Sequence, residues 1–382
     1  MTPPMAYAAP ARPPAAGRPR EILSIQYLRG FAAIAVVLFH EIQWIQVFRL
    51  GSHGVDVFFV ISGFIMFALT HGRAITPKRF ILDRLARIGP PYWLATAIVF
   101  LLAVFHVRFF GVSTNIVLLV KSLLFIPADN GGGHVWPILL VGWTLNYEMF
   151  FYVMFFCALF IAPAQRLIVL TVGFLGLMFA GRLLHVHGPI LATYTSPLLA
   201  EFIAGVWLAS IFGASLDKRP IKTMLIHACG LIATMILLSI VFHSIWFSAI
   251  AVTIVAAGLS IERLGLLPKV SLLKTFGDAS FSIYLFQGFA FESVGWLFAT
   301  LSAGTRSPWF GRTPEHLVGV VAAVVLGIVA YAIVERPLTK AVRSALASVL
   351  NTPVGLREPA AVAAAEPAEP PVIAPAVEGL AP

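Results

Sequence analysis

Apolar residues along this chain fall in unbroken runs of roughly twenty, with polar residues gathered in the stretches between them. A helix rises about 1.5 Å per residue, so a run of that length crosses a hydrocarbon core about 30 Å thick. Ten such runs occur, near residues 22–44, 54–71, 91–109, 141–162, 166–184, 196–213, 222–242, 244–261, 278–301 and 315–334. None alternates apolar with polar positions, which argues against a β-barrel. The pattern predicts an all-α integral membrane protein, a bundle of about ten transmembrane helices. Residues 110–140 are mixed: an amphipathic NIVLLVKSLLFIP run and then a Gly-rich DNGGGH turn, expected as an external loop with an interfacial segment. The ends are rich in Ala and Pro, so disordered tails are expected at 1–20 and 346–382 around a membrane domain at 21–345. The first run is preceded by no short apolar leader and is expected to be kept as the first helix.

Composition agrees with that reading. Of 382 residues, 59% are hydrophobic and 11% charged, against about 25% charged in soluble domains, and the mean hydropathy is +0.91. The net charge of +9 would suggest nucleic acid in a soluble chain. Here the cations sort by side instead. With the N-terminus inside, nineteen of the 26 Lys and Arg fall in inner segments and six in outer ones, Arg29 lying within the first run. That bias follows the positive-inside rule, places both termini in the cytoplasm and needs an even number of spans. The two cysteines, Cys157 and Cys229, sit in apolar runs and offer neither a disulfide framework nor a CxxC metal site.

Polar groups inside spans are costly, which makes each one a candidate for chemistry. Arg29 and His40 in the first run are eleven residues apart, close to three helical turns, so they share a stripe roughly 16 Å long. A snorkelling arginine and a histidine bonding between helices would explain each singly; together they suit an elongated anionic molecule and a titratable base. Asp56 opens the second run in GVDVFFVISGF, expected near the level of His40, where either it or Glu41 would orient the imidazole; capping of the second helix is the plainer role. Arg84 and Arg87 share a helix face in PKRFILDRLARIGPPYW, suited to lipid headgroups or to the phosphates of a nucleotide-like molecule. Glu148 lies two turns into the fourth run, WTLNYEMFFY, beside Trp143 and Tyr152. Ser282, Tyr284 and Gln287 bring hydroxyl and amide groups to the ninth. There is no GxGxxG, Walker A, HExxH or GxSxG motif, and His185 and His187 point to different helix faces, so no metal site is expected.

In this order, over residues 22–343, these segments resemble the acyltransferase 3 family of bacterial membrane proteins. The residues that carry the likeness are Arg29 and His40; Gly54, Asp56, Phe58, Phe59, Ser62 and Gly63; Arg84, Arg87 and Tyr92; Trp143, Leu145, Glu148, Phe151 and Tyr152; and the late FSIYLFQ and VERPLTK runs. The opening SIQYLRGFAAIAVVLFH is most similar to the exopolysaccharide-acetylating branch. The resemblance implies a membrane-bound O-acyltransferase of the bacterial inner membrane. It would move an acyl group, acetyl by default, from cytoplasmic acyl-CoA to a hydroxyl of an exported polysaccharide or lipid-linked glycan. On that reading His40, Asp56 and Glu148 are catalytic, Arg29, Arg84 and Arg87 hold the CoA phosphates, and Trp143, Tyr152, Ser282 and Tyr284 bind substrate, with no metal and no nucleic acid involved. Gln287 stands where the family often has His, and an amide is no base near neutral pH. The rival is a secondary transporter or flippase for a sugar, lipid or organic ion, since buried carboxylates and His suit a proton relay too. It has less need of the Arg84/Arg87 pair.

Overall fold

The computed structural model describes residues 21–70, 75–106, 112–213, 216, 220–242, 246–301 and 313–351. Among them every regular element is helical: α1 (Leu23–Ile42), α2 (Gly54–Thr70), α3 (Pro77–Val104), α4 (Ile116–Leu123), α5 (Trp143–Ala158), α6 (Arg166–Leu183), α7 (Pro189–Tyr194), α8 (Leu199–Phe212), α9 (Ile221–Phe242), α10 (Trp246–Arg263), α11 (Ser271–Asp278), α12 (Ser280–Leu301), α13 (Thr313–Ala330) and α14 (Arg336–Asn351). Eight helical stretches among the described residues are long and apolar enough to cross a membrane, where the sequence suggested about ten. The other two expected places are held by α10, which ends on Glu262 and Arg263, and α12, whose apolar run is diluted by Ser280, Ser282, Gln287 and Glu292. The apolar side chains of α9 point outward, Leu225, Ile232, Ile236 and Ile240 all being exposed, as a lipid-facing helix requires.

Three local features differ from the sequence expectation. First, the basic segment and the third span form one helix, because Thr76 caps it, its hydroxyl accepting from the Arg79 N–H, and the helix runs on through Pro90 and Pro91. The prolines cost two backbone bonds, those to the carbonyls of Ala86 and Arg87, but do not end the helix. Arg84 and Arg87 both line a cavity between the helices. Second, residues Gln46–His53 form a 3-10 turn packed back along α1, Gly51 lying against the Ala35 carbonyl and Gly54 against Ala32 and Val36. The start of α2 is thus several residues short of His40. Third, α13 passes through a π-turn at Tyr331–Glu335 into α14, so helix continues to Asn351, beyond position 345. The tail expected at 1–20, and residues 352–382 of the one expected at 346–382, lie outside the described residues.

The core is centred on α2 and α8. Gly63 lies on the Phe202 carbonyl and Gly205 on the Val60 carbonyl, a reciprocal pair that brings the two backbones together. Beside them Phe59, Phe202 and Phe151 stack in a column with centroids 4.5 Å apart at each step. The start of α1 is tied to the α10–α11 connection: Glu262 accepts from the Leu23 and Ser24 N–H groups at 3.0 and 2.7 Å, and the Tyr27 hydroxyl donates to the Pro268 carbonyl. Lys274 of α11 donates to Glu21, a bond that raises the Lys274 ammonium above its ordinary pKa. With α1 fixed there, its Arg29–His40 stripe is set against α12.

Candidate active site

Arg29 of α1, Arg84 and Arg87 of α3 and Glu148 of α5 converge on a cavity of about 80 Å³, closed by Ser62, Tyr152 and Tyr284. The Glu148 carboxylate accepts from the Ser62 and Tyr152 hydroxyls, at 3.2 and 2.5 Å. Arg29 is buried and donates to Gln26 at 3.3 Å. Among the described residues none of the three arginines forms an ion pair, and the buried Arg84 Nε has no hydrogen-bond partner. Unpaired guanidinium groups in a bundle core are expensive, so the cluster is poised for an anion.

Toward the end of the bundle where α1 begins, Arg29 and Arg87 also border a vestibule of about 550 Å³. Its other wall is α14, where Arg336, Lys340 and Arg343, spaced four and three residues apart, lie on one helix face. Glu335 closes the π-turn above them, accepting from the Ser282 hydroxyl at 2.6 Å, and π-turns of this kind recur at functional sites. In the sequence the α14 cations bear only on topology, and no apolar pattern there places them in a site. The four-then-three spacing after VER was the signal.

His40 faces a third space of about 520 Å³, shared with Gln287, Asn130 and Trp136. Its Nδ1 is 3.2 Å from the Gln287 Oε1, while the Gln287 Nε2 donates to the Tyr284 carbonyl at 2.9 Å. That second bond turns the amide oxygen toward the imidazole. Nδ1 must then carry the proton, and Nε2 keeps its lone pair as an acceptor. Tyr284 lines the arginine cavity, its hydroxyl bonded to Thr144 and to the carbonyl of Val141, a residue that lines the His40 space, each at 2.9 Å.

The expected carboxylate partners of His40 are placed otherwise. Asp56 pairs with His53 at 2.7 Å, because α2 starts against Ala32 and Val36. Glu41 pairs with His316 at 3.1 Å. Among the described residues no ion pair involves His40; the Gln287 amide and a backbone hydrogen bond at Val36 hold its ring. Glu148 sits with the arginines, not with His40 and Asp56. Of the expected substrate contacts, Tyr152 and Tyr284 line the arginine cavity, Ser282 is engaged by Glu335, and Trp143 packs edge-on against Tyr147. The described residues hold no cluster of three metal-ligating side chains.

A family model described as an acyltransferase domain matches residues 22–333. Over 300 residues the chain is 37% identical to the exopolysaccharide production protein ExoZ of Rhizobium meliloti (strain 1021), covering 77% of this chain and 91% of that one. Over 180 residues it is 32% identical to a protein of Komagataeibacter xylinus named as a membrane-bound transacylase, BcsY, covering 40% and 44%. No solved structure matches.

Proposed function

The chain belongs to the acyltransferase 3 family and is a membrane-bound O-acyltransferase, and from that premise we propose that it transfers an acyl group, by default acetyl, from cytoplasmic acyl-CoA to a polysaccharide hydroxyl. The acceptor is an exopolysaccharide or its lipid-linked precursor, a reading supported by the name of the relative from Rhizobium meliloti. The place is a bacterial inner membrane with both termini cytoplasmic, in keeping with the nineteen-to-six sorting of cations.

The observation that carries the donor assignment is the set of unpaired arginines continuous with a second ring of cations. Arg29, Arg87, Arg336, Lys340 and Arg343 suit the several phosphates of CoA, and Arg84 with its free Nε suits a further acceptor deeper in. Bound there, the donor supplies an activated thioester. Eleven residues of α1 separate Arg29 from His40, roughly 16 Å of rise, which suits a phosphate group at one end and a reacting carbonyl at the other.

His40 is the general base. Its Nε2 takes the proton of the attacking sugar hydroxyl as the new C–O bond forms; the C–S bond breaks, and the proton passes to the departing thiolate. Gln287 keeps the imidazole in the required tautomer. Glu148, held by Ser62 and Tyr152, offsets part of the arginine charge and fixes the wall past which the donor arm lies. The test is acceptor-dependent thiol release in proteoliposomes given acetyl-CoA and a glycan. His40→Ala is expected to lower the rate by roughly 10²–10⁴ with insertion and donor binding intact. Full activity in that variant would overturn the assignment.

A further inference from the structure

The chamber at His40 has about 520 Å³ of space, and one built loop, residues 127–139, supplies Asn130, Trp136, Pro137, Ile138 and Leu139 to its lining. Asp129 Oδ1 accepts from the N–H groups of Gly131 and Gly133, at 2.7 and 3.2 Å, and Asn130 Oδ1 accepts from Gly132 at 2.9 Å. Gly131 and Gly133 have φ of +88° and +77°, which suits glycine. The N–H groups of Asn130 and Trp136 both donate to the His134 carbonyl at 3.0 Å. Further along, the Ile138 N–H donates to the Ser122 hydroxyl, and the Ser122 carbonyl accepts from Tyr92. Every turn of this loop is therefore held by its own short polar side chains or pinned to α3 and α4.

What the loop presents is a flat aromatic and an amide. Trp136 lies parallel to the His134 ring, centroids 4.2 Å apart and planes 10° from each other. It is 39% exposed and lines the same chamber as His40. Asn130 lines that chamber too, and with its Oδ1 engaged by Gly132, its NH₂ is the group left to donate. A pyranose has an apolar C–H face and an equator of hydroxyls, which an indole and an amide match directly. A polyprenyl tail would need neither.

We propose that the 127–139 loop is the acceptor platform and that Trp136 stacks on a pyranose ring of the glycan, presenting a hydroxyl to His40. This rests on the acyltransferase reading above and names the residue that selects the acceptor. The experiment uses the full chain in nanodiscs with acetyl-CoA and a soluble oligosaccharide, measuring KM for each substrate in wild type, Trp136→Ala, Trp136→Phe and Trp136→Leu. Loss of a stacked ring raises the acceptor KM about five- to tenfold in the Ala and Leu variants, with Phe restoring most of it and the acetyl-CoA KM staying within about twofold. Should Ala fail to insert, Leu keeps the apolar bulk without the flat face and gives the same contrast. An unchanged acceptor KM, or equal rises in both KM values, overturns the platform. Wild-type protein that releases no thiol on addition of acceptor would instead sink the transferase reading itself.

Discussion

His40 is held by an amide whose own orientation is fixed by a backbone carbonyl one turn away, and that chain of two bonds makes a specific demand. Gln287→Leu keeps the volume but removes one of the two bonds that orient the imidazole, leaving only the one at the Val36 backbone. Its kcat is expected to fall by up to roughly 10²-fold while the KM for acyl-CoA holds, as read by steady-state kinetics; an unaltered kcat would mean the ring is oriented elsewhere. His40 was legible in the sequence because an imidazole in an apolar run stands out. Gln287 stands out there too, as an amide where the family often has His, but its pairing with His40, 247 residues away, does not; spacing on one helix says nothing about which neighbour will meet it. Asp56 misled for a related reason, since its level in the membrane depends on a 3-10 turn that no periodicity announces.

The packing of α2 on α8 shows how elements make the site. Ser62 and Gly63 are adjacent on α2: one holds Glu148, the other admits the α8 backbone. Gly63→Leu drives a side chain into the Phe202 carbonyl, and overpacking of this kind costs about 1–3 kcal/mol or more. Thermal unfolding in detergent should therefore drop by several degrees, with activity lost as α2 shifts. Gly176→Ala, where a Cβ meets nothing within 4 Å, is the control expected to leave stability unchanged or slightly raised. An equal melting point for the two variants would contradict the close packing. Most helices could be read from their apolar runs; the joining of the basic segment to α3 could not, since Pro90 and Pro91 look like a boundary and act as interior residues. The route from α13 into α14 was hidden likewise, because the hydrophobic pattern stops where the amphipathic helix begins.

Over the whole molecule, cations gather where the donor is proposed to enter and the acceptor loop lies beside the opposite end of α1. Charge at the vestibule attracts a polyanion over a screening length of about 8–10 Å at physiological salt. The KM for acyl-CoA should accordingly rise with ionic strength, and Arg336→Gln/Lys340→Gln/Arg343→Gln should raise it at low salt and flatten the dependence. A wild-type KM indifferent to salt would remove α14 from the donor site. Tyr284 and Thr144, bonded to each other, line the arginine cavity, which holds only about 80 Å³ of space. An ion trying to cross would have to shed its water there, at several kcal/mol. On the proposed route, an acyl group would pass the middle of this protein without short-circuiting the voltage across the membrane.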